Sequence, residues 1–124
     1  MPIEGLDHVQ VAAPPGCERE ARRFYGELLG LDELPKPEVL AGRGGAWFTC
    51  GPQQLHVGIA EDFAAARNAH PALRVTDVAE LERLAERLEY AGVEVRWDQD
   101  LPGARRFYAD DPWGNRVELV APAG

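Results

Sequence analysis

The chain is 124 residues long, 45% hydrophobic and 27% charged, which is the balance of one folded domain rather than of a disordered segment. A formal net charge of −8 argues against nucleic acid as a partner, and no apolar run approaches the roughly 20 residues that a membrane span needs. Two cysteines, Cys17 and Cys50, are too few for a disulfide framework, and no signal-peptide pattern is present, so the expected compartment is the cytoplasm.

In chain order, residues 6–12 alternate apolar and polar side chains as a half-buried strand does, and Pro14-Pro15-Gly16 breaks it. Ala21, Phe24, Tyr25, Leu28 and Leu29 recur at three and four, predicting a helix from about Cys17 to Leu29 that Gly30 stops. Strands are expected near 31–34, 45–50 and 54–60. The segment Pro35–Gly45, with two prolines and three glycines, predicts a mobile loop able to act as a lid. Residues 61–69 join the halves and are expected to be briefly helical.

The second half repeats the plan. A strand at 70–75 precedes the capping box Asp77-Val78-Ala79-Glu80, a helix with the stripe Leu81, Leu84, Ala85 and Leu88, and a stop at Gly92. Strands follow at 93–97, 105–109 and 115–121, the last after the turn Asp111–Asn115. One offset of 62 relates His8 to His70, Gly30 to Gly92 and His56 to Glu118. Two copies of a small α+β module, about 1–62 and 63–124, paired into one domain, account for it.

Strand parity sorts the side chains, because successive residues point to opposite faces. Val9 and Val11 oppose His8 and Gln10; Leu55, Val57 and Ile59 oppose Gln54 and His56. Leu73 and Val75 oppose His70 and Arg74; Val117 and Leu119 oppose Arg116 and Glu118. The polar faces therefore carry every histidine of the chain and one glutamate. Curled sheets would gather His8, His56, His70 and Glu118 in one concavity. Neutral imidazoles with a carboxylate suit a divalent first-row metal: zinc, nickel, cobalt, manganese or iron. Gln10, Trp47, Phe107 and Arg74 are the candidate substrate contacts, with Arg116 a second guanidinium able to fork onto a carboxylate. Against the arginines stands the plainer reading of a solvated strand edge.

The segments "GLDHVQVA", "ARRFYGELLGL", "HPALRV" and "FYADDPWGNRVELV", which span nearly the whole chain, resemble the vicinal oxygen chelate superfamily, the glyoxalase/bleomycin-resistance/dioxygenase fold. The resemblance implies an α+β fold of two paired βαβββ modules, with curled mixed sheets around a central cleft, a metal in that cleft, and a homodimer. Carried over, the family's first-strand histidine falls on His8, its fifth-strand histidine on His70 and its last-strand glutamate on Glu118. The fourth-strand position, Glu or Gln in several isomerases and epimerases, falls on His56. The expected activity is that of a metal-dependent isomerase, epimerase or lyase. Its small, oxygen-rich substrate would chelate the metal through vicinal oxygens, with His56 as fourth ligand or general base. Two alternatives stand beside it. One is an extradiol-type dioxygenase using His8, His70 and Glu118. The other is a non-catalytic drug-binding protein of the bleomycin-resistance kind, served by Trp47, Phe107 and the 35–45 loop.

Overall fold

The structure, a computed structural model, describes residues 2–123; the outermost positions of the expected modules, 1 and 124, lie outside them. The chain divides into two compact units, the first ending at Ala64 and the second beginning at Ala65. In the first, β1 (His8–Ala13) is followed by α1 (Glu18–Ala21) and then by β2 (Glu33–Leu34), β3 (Ala46–Cys50) and β4 (Gln53–Ile59). In the second, β5 (Ala72–Arg74) is followed by α2 (Val78–Tyr90), β6 (Arg96–Asp98), β7 (Ala104–Asp110) and β8 (Arg116–Pro122). The sheets share one plan, β1-β4-β3-β2 and β5-β8-β7-β6, in which the first pair is parallel and the others antiparallel.

The sequence offset is also a ladder offset. Gln10 pairs with His56, and 62 residues on Ala72 pairs with Glu118. Across the other edge of the same strands, Trp47 faces His56 and Tyr108 faces Glu118. The two halves thus put His56 and Glu118 at equivalent sheet positions.

Phe24, Tyr25, Phe48, Leu55 and Val57 fill the core of the first unit; Leu81, Leu88, Phe107, Val117 and Leu119 fill that of the second. Helix α2 follows the expectation: the Asp77 side chain accepts from the Glu80 N–H at 2.8 Å, Leu81, Leu84, Ala85 and Leu88 are buried, and Gly92 (φ 85°) ends it. The first helix departs from it. Only Glu18–Ala21 is α-helical, and Arg22–Leu28 widens to a π-helix, its end marked by the Leu29 N–H donating to Phe24 O. The wider turn brings the consecutive aromatics Phe24 and Tyr25 into the core together, 2% and 0% exposed, which an ordinary 100° step between neighbours disfavours.

Residues 61–69 contain no helix, contrary to expectation. They are tied instead to the Asp111–Asn115 turn. Asn115 Oδ1 accepts from the Ala66 N–H, and Asp111 Oδ1 accepts from the N–H groups of Trp113 and Asn115. The expected 35–45 loop carries a 3₁₀ turn, Glu38–Arg43, and is pinned where it returns to the sheet. Lys36 Nζ donates to Gly44 O, and the Gly45 N–H donates to Glu18 Oε2 at 2.6 Å. That backbone donor, with Lys36 and Arg22 nearby, holds the Glu18 carboxyl below its ordinary value of 4.5. A folded-state depression stabilises the protein above the unfolded value, and the contribution is lost as pH falls through the folded one. Glu18→Gln is therefore expected to flatten the acid side of the stability profile, read as urea midpoints between about pH 6 and pH 3. An unchanged profile would remove Glu18 as the pin of this loop.

Candidate functional site

Each unit brings together one pair of the predicted side chains. In the first, the ladder sets His56 between β1 and β3, and its ring is sandwiched there. Trp47 lies 3.9 Å away, nearly parallel at 3°, and His8 lies 4.3 Å away at 20°. The sandwich leaves His56 only 5% exposed. Burial, and then the neighbouring His8, lower its pKa, so the ring is neutral near pH 7. Gln54 Oε1 lies 2.9 Å from His56 Nε2 and can only accept, so Nε2 carries the hydrogen and Nδ1 the lone pair. His8 is half exposed, and Asp7 Oδ2 sits 2.9 Å from its Nδ1. A carboxylate on Nδ1–H is the usual orienting partner of a metal-binding imidazole, and it leaves Nε2 open.

In the second unit, His70 Nε2 and Glu118 Oε1 are 3.0 Å apart, with Glu118 buried at 6% exposure. His70 Nδ1 lies 3.0 Å from Asn68 O and 3.3 Å from Arg67 O. Carbonyl oxygens only accept, so Nδ1 carries a hydrogen and a neutral ring turns the Nε2 lone pair toward the carboxylate. Two lone-pair atoms that close need a proton or a cation between or beside them. Ligand atoms each about 2.1 Å from one ion and at right angles lie about 3.0 Å apart, so the separation fits an edge of a coordination polyhedron. Glu118 Oε2 is held separately. Arg106 Nη1 donates to it at 3.3 Å while Arg106 Nε donates to Asp98 Oδ2 at 2.8 Å.

The four proposed ligands thus occur as two pairs, and within neither unit do three such side chains meet among the described residues. The stacking bears on His56. Metal bonds lie in the imidazole plane, and two rings inclined by only 20° at 4.3 Å cannot both aim a lone pair at one ion about 2.1 Å away. In this arrangement His8 and His56 do not ligate together.

The other candidates divide. Gln10 lies across Gly58, where an added Cβ would meet its Nε2 at 2.5 Å, and Trp47 is the plate beneath His56. Arg74 is exposed on the face of β5 that Ala72 shares with Glu118. Phe107 is misplaced by the sequence reading. It pairs with Leu119, is 0% exposed and packs edge-on against Trp97, so it belongs to the core. Ala104, Arg106, Tyr108 and Asp110 are the residues of β7 that share the Glu118 face, and Arg106 and Tyr108 are the two nearest it. Tyr108 has the Arg106 and Arg116 guanidinium carbons 5.3 and 5.1 Å from its ring centre and the His70 ring edge-on at 5.6 Å. Sequence reasoning missed both. The signal was parity counted back from Ala109, which is buried with Phe107.

A family model described as the Glyoxalase/Bleomycin resistance protein/Dioxygenase superfamily matches residues 5–119. The chain belongs to this superfamily. Among solved structures, a glyoxalase family protein from Bacillus anthracis is 50% identical, with a TM-score of 0.91 over 97% of this chain and 96% of that one. A lactoylglutathione lyase from Agrobacterium tumefaciens is 23% identical, with a TM-score of 0.75 over 98% and 96%. The fosfomycin resistance protein FosX from Listeria monocytogenes is 18% identical, with a TM-score of 0.79 over 98% and 93%. The last two show a common fold. No curated protein matches the sequence. The two four-stranded mixed sheets agree with the superfamily architecture that the sequence segments implied. No helix of the described residues is long and apolar enough to cross a membrane.

Proposed function

We propose that this superfamily member is a divalent-metal-dependent isomerase, epimerase or lyase acting on a small, oxygen-rich molecule, and that His8, His70 and Glu118 supply the protein ligands. The observation that carries the reading is the His70–Glu118 pair, a ring nitrogen and a carboxylate oxygen 3.0 Å apart with the far side of the imidazole anchored on backbone carbonyls. His8, with Nδ1 held by Asp7, has the same preparation. When bound, such an ion supplies Lewis-acid polarisation of neighbouring substrate oxygens.

His56 is assigned the proton. Its burial keeps it neutral, Gln54 fixes Nε2–H, and Nδ1 is the atom left to accept from carbon. Trp47 and His8 hold the ring flat on both faces, so the base is positioned before substrate arrives. A homodimer is part of the proposal, since each sheet ends on strands, such as β1 and β5, with one ladder edge open to pairing.

The test is metal content. Protein purified without chelator is expected to carry about one divalent ion per chain, and His70→Ala is expected to lose it while the protein stays folded by circular dichroism. Equal metal content in the parent and in His70→Ala would overturn the ligand assignment.

A further inference from the structure

The first unit holds a cavity that the metal reading does not use. Its volume is about 290 Å³, close to the lower end of ordinary small-molecule sites. Leu40 and Arg43 of the 3₁₀ turn line it together with residues of β1, β3 and β4. Leu40, Trp47 and Ile59 give an apolar wall, while Lys36, Arg43 and Gln10 give the polar part. The charge distribution is unusual for this chain. In a protein of net charge −8, its only lysine and an arginine meet here, and no acidic side chain lines the cavity. Lys36 is already engaged with Gly44 O, but Arg43 makes no ion pair among the described residues.

The loop lies close against the sheet beside the cavity. A Cβ on Gly44 would meet Ile59 Cδ1 at 2.4 Å and one on Gly45 would meet Val57 O at 2.1 Å, so the loop presses directly on β4 beside Arg43. Gly58, the next residue along, leaves room for the Gln10 amide to lie flat across the strand. Gln10 and Trp47 are also the two ladder partners of His56, so the cavity adjoins the proposed base on its own sheet.

We propose that this cavity binds the carboxylate end of a small amphiphilic molecule. The carboxylate lies against the Arg43 guanidinium and Lys36, with the Gln10 amide as a further donor. The apolar body lies against Trp47 and Ile59. A guanidinium makes forked, charge-assisted bonds to a carboxylate, and an indole face takes a flat hydrocarbon, so the lining selects for both ends of one ligand. That the ligand is the substrate rests on the function proposed above; the binding site does not.

Phenylacetate and phenylacetamide test it, because they share a body and differ in charge. The readout is the indole N–H resonance of Trp47, assigned by Trp47→Phe, in protein stripped of metal with chelator. Phenylacetate is expected to shift it saturably, with affinity at least about tenfold above that of phenylacetamide. Arg43→Gln, which leaves the ties of Lys36 and Glu18 to the loop in place, is expected to erase most of that preference without changing amide binding. Equal affinity for the two probes, an unchanged preference in Arg43→Gln, or no shift of Trp47 at about 10 mM phenylacetate would each overturn the proposal. Because no metal is present, failure here leaves the ligand assignment standing, and loss of metal in His70→Ala says nothing about this cavity.

Discussion

Glu118→Gln is expected to weaken divalent-metal binding by more than about 100-fold while leaving the fold intact. The magnitude follows from what the residue supplies. Loss of an outer partner of a metal ligand costs about 10–100-fold in affinity, and removal of the anionic ligand itself should exceed that. The fold should survive because Gln keeps the volume and can still meet His70 Nε2. Arg106 retains Asp98 at 2.8 Å, so no unpaired charge is left buried. A companion, Arg106→Met, separates ligation from orientation. It frees Glu118 Oε2 without touching Oε1, and the expected loss is the smaller one, about 10–100-fold. Competition against a chromogenic chelator reads both, with urea midpoints as the check on folding. Metal bound by Glu118→Gln as tightly as by the parent would remove Glu118 from the site.

The second large effect belongs to stability. Gly45→Ala is expected to cost about 3 kcal/mol or more, from two sources that a control can divide. Gly45 has φ 81°, where an L side chain is strained, and a Cβ there would sit 2.1 Å from Val57 O. Val57 is ladder-paired to Ala46 and to Val11, so its carbonyl cannot withdraw without opening β4 on both sides. Gly51 has a similar φ of 59° but nothing within 4 Å of its added Cβ. Gly51→Ala should therefore show the backbone strain alone, about 1–2 kcal/mol. Equal losses in urea unfolding of the two variants would mean that the loop yields and that its close approach to β4 carries no energy.

Much of this was legible in the sequence, and the failures have definite causes. Alternation along 54–60 put Leu55 and Val57 inside and His56 on the other face, because one apolar side chain in two is enough to fix a half-buried strand. The Asp77–Glu80 cap and the Leu81–Leu88 stripe were equally readable, since both are local. Phe107 went wrong because Phe107 and Tyr108 are adjacent aromatics, and either could face a core. Only the pairing of Tyr108 with Glu118 decides it. The stacking of His56 between Trp47 and His8 was out of reach for another reason: parity assigns a face but says nothing of ring tilt or of which nitrogen is committed. Lys36 and Arg43 were hidden by the loop, whose path depends on Gly44 and Gly45 pressing against β4. No periodicity records such a contact.

The ladder equivalence of His56 with Glu118, and of Trp47 with Tyr108, bears on how the chain came to be. If the halves descend from one duplicated ancestor, the duplication supplied two copies of the same stage, and each copy was then free to specialise. One kept a neutral, aromatic setting, with an imidazole between an indole and a second imidazole. The other became ionic, with a carboxylate held by the Arg106 guanidinium beside a phenol that Arg106 and one further cation, Arg116, flank. A single-copy ancestor pairing with itself would have had to place the same residue at both positions. Fusion removes that symmetry constraint, and so lets one scaffold carry a buried imidazole and a buried carboxylate at equivalent positions.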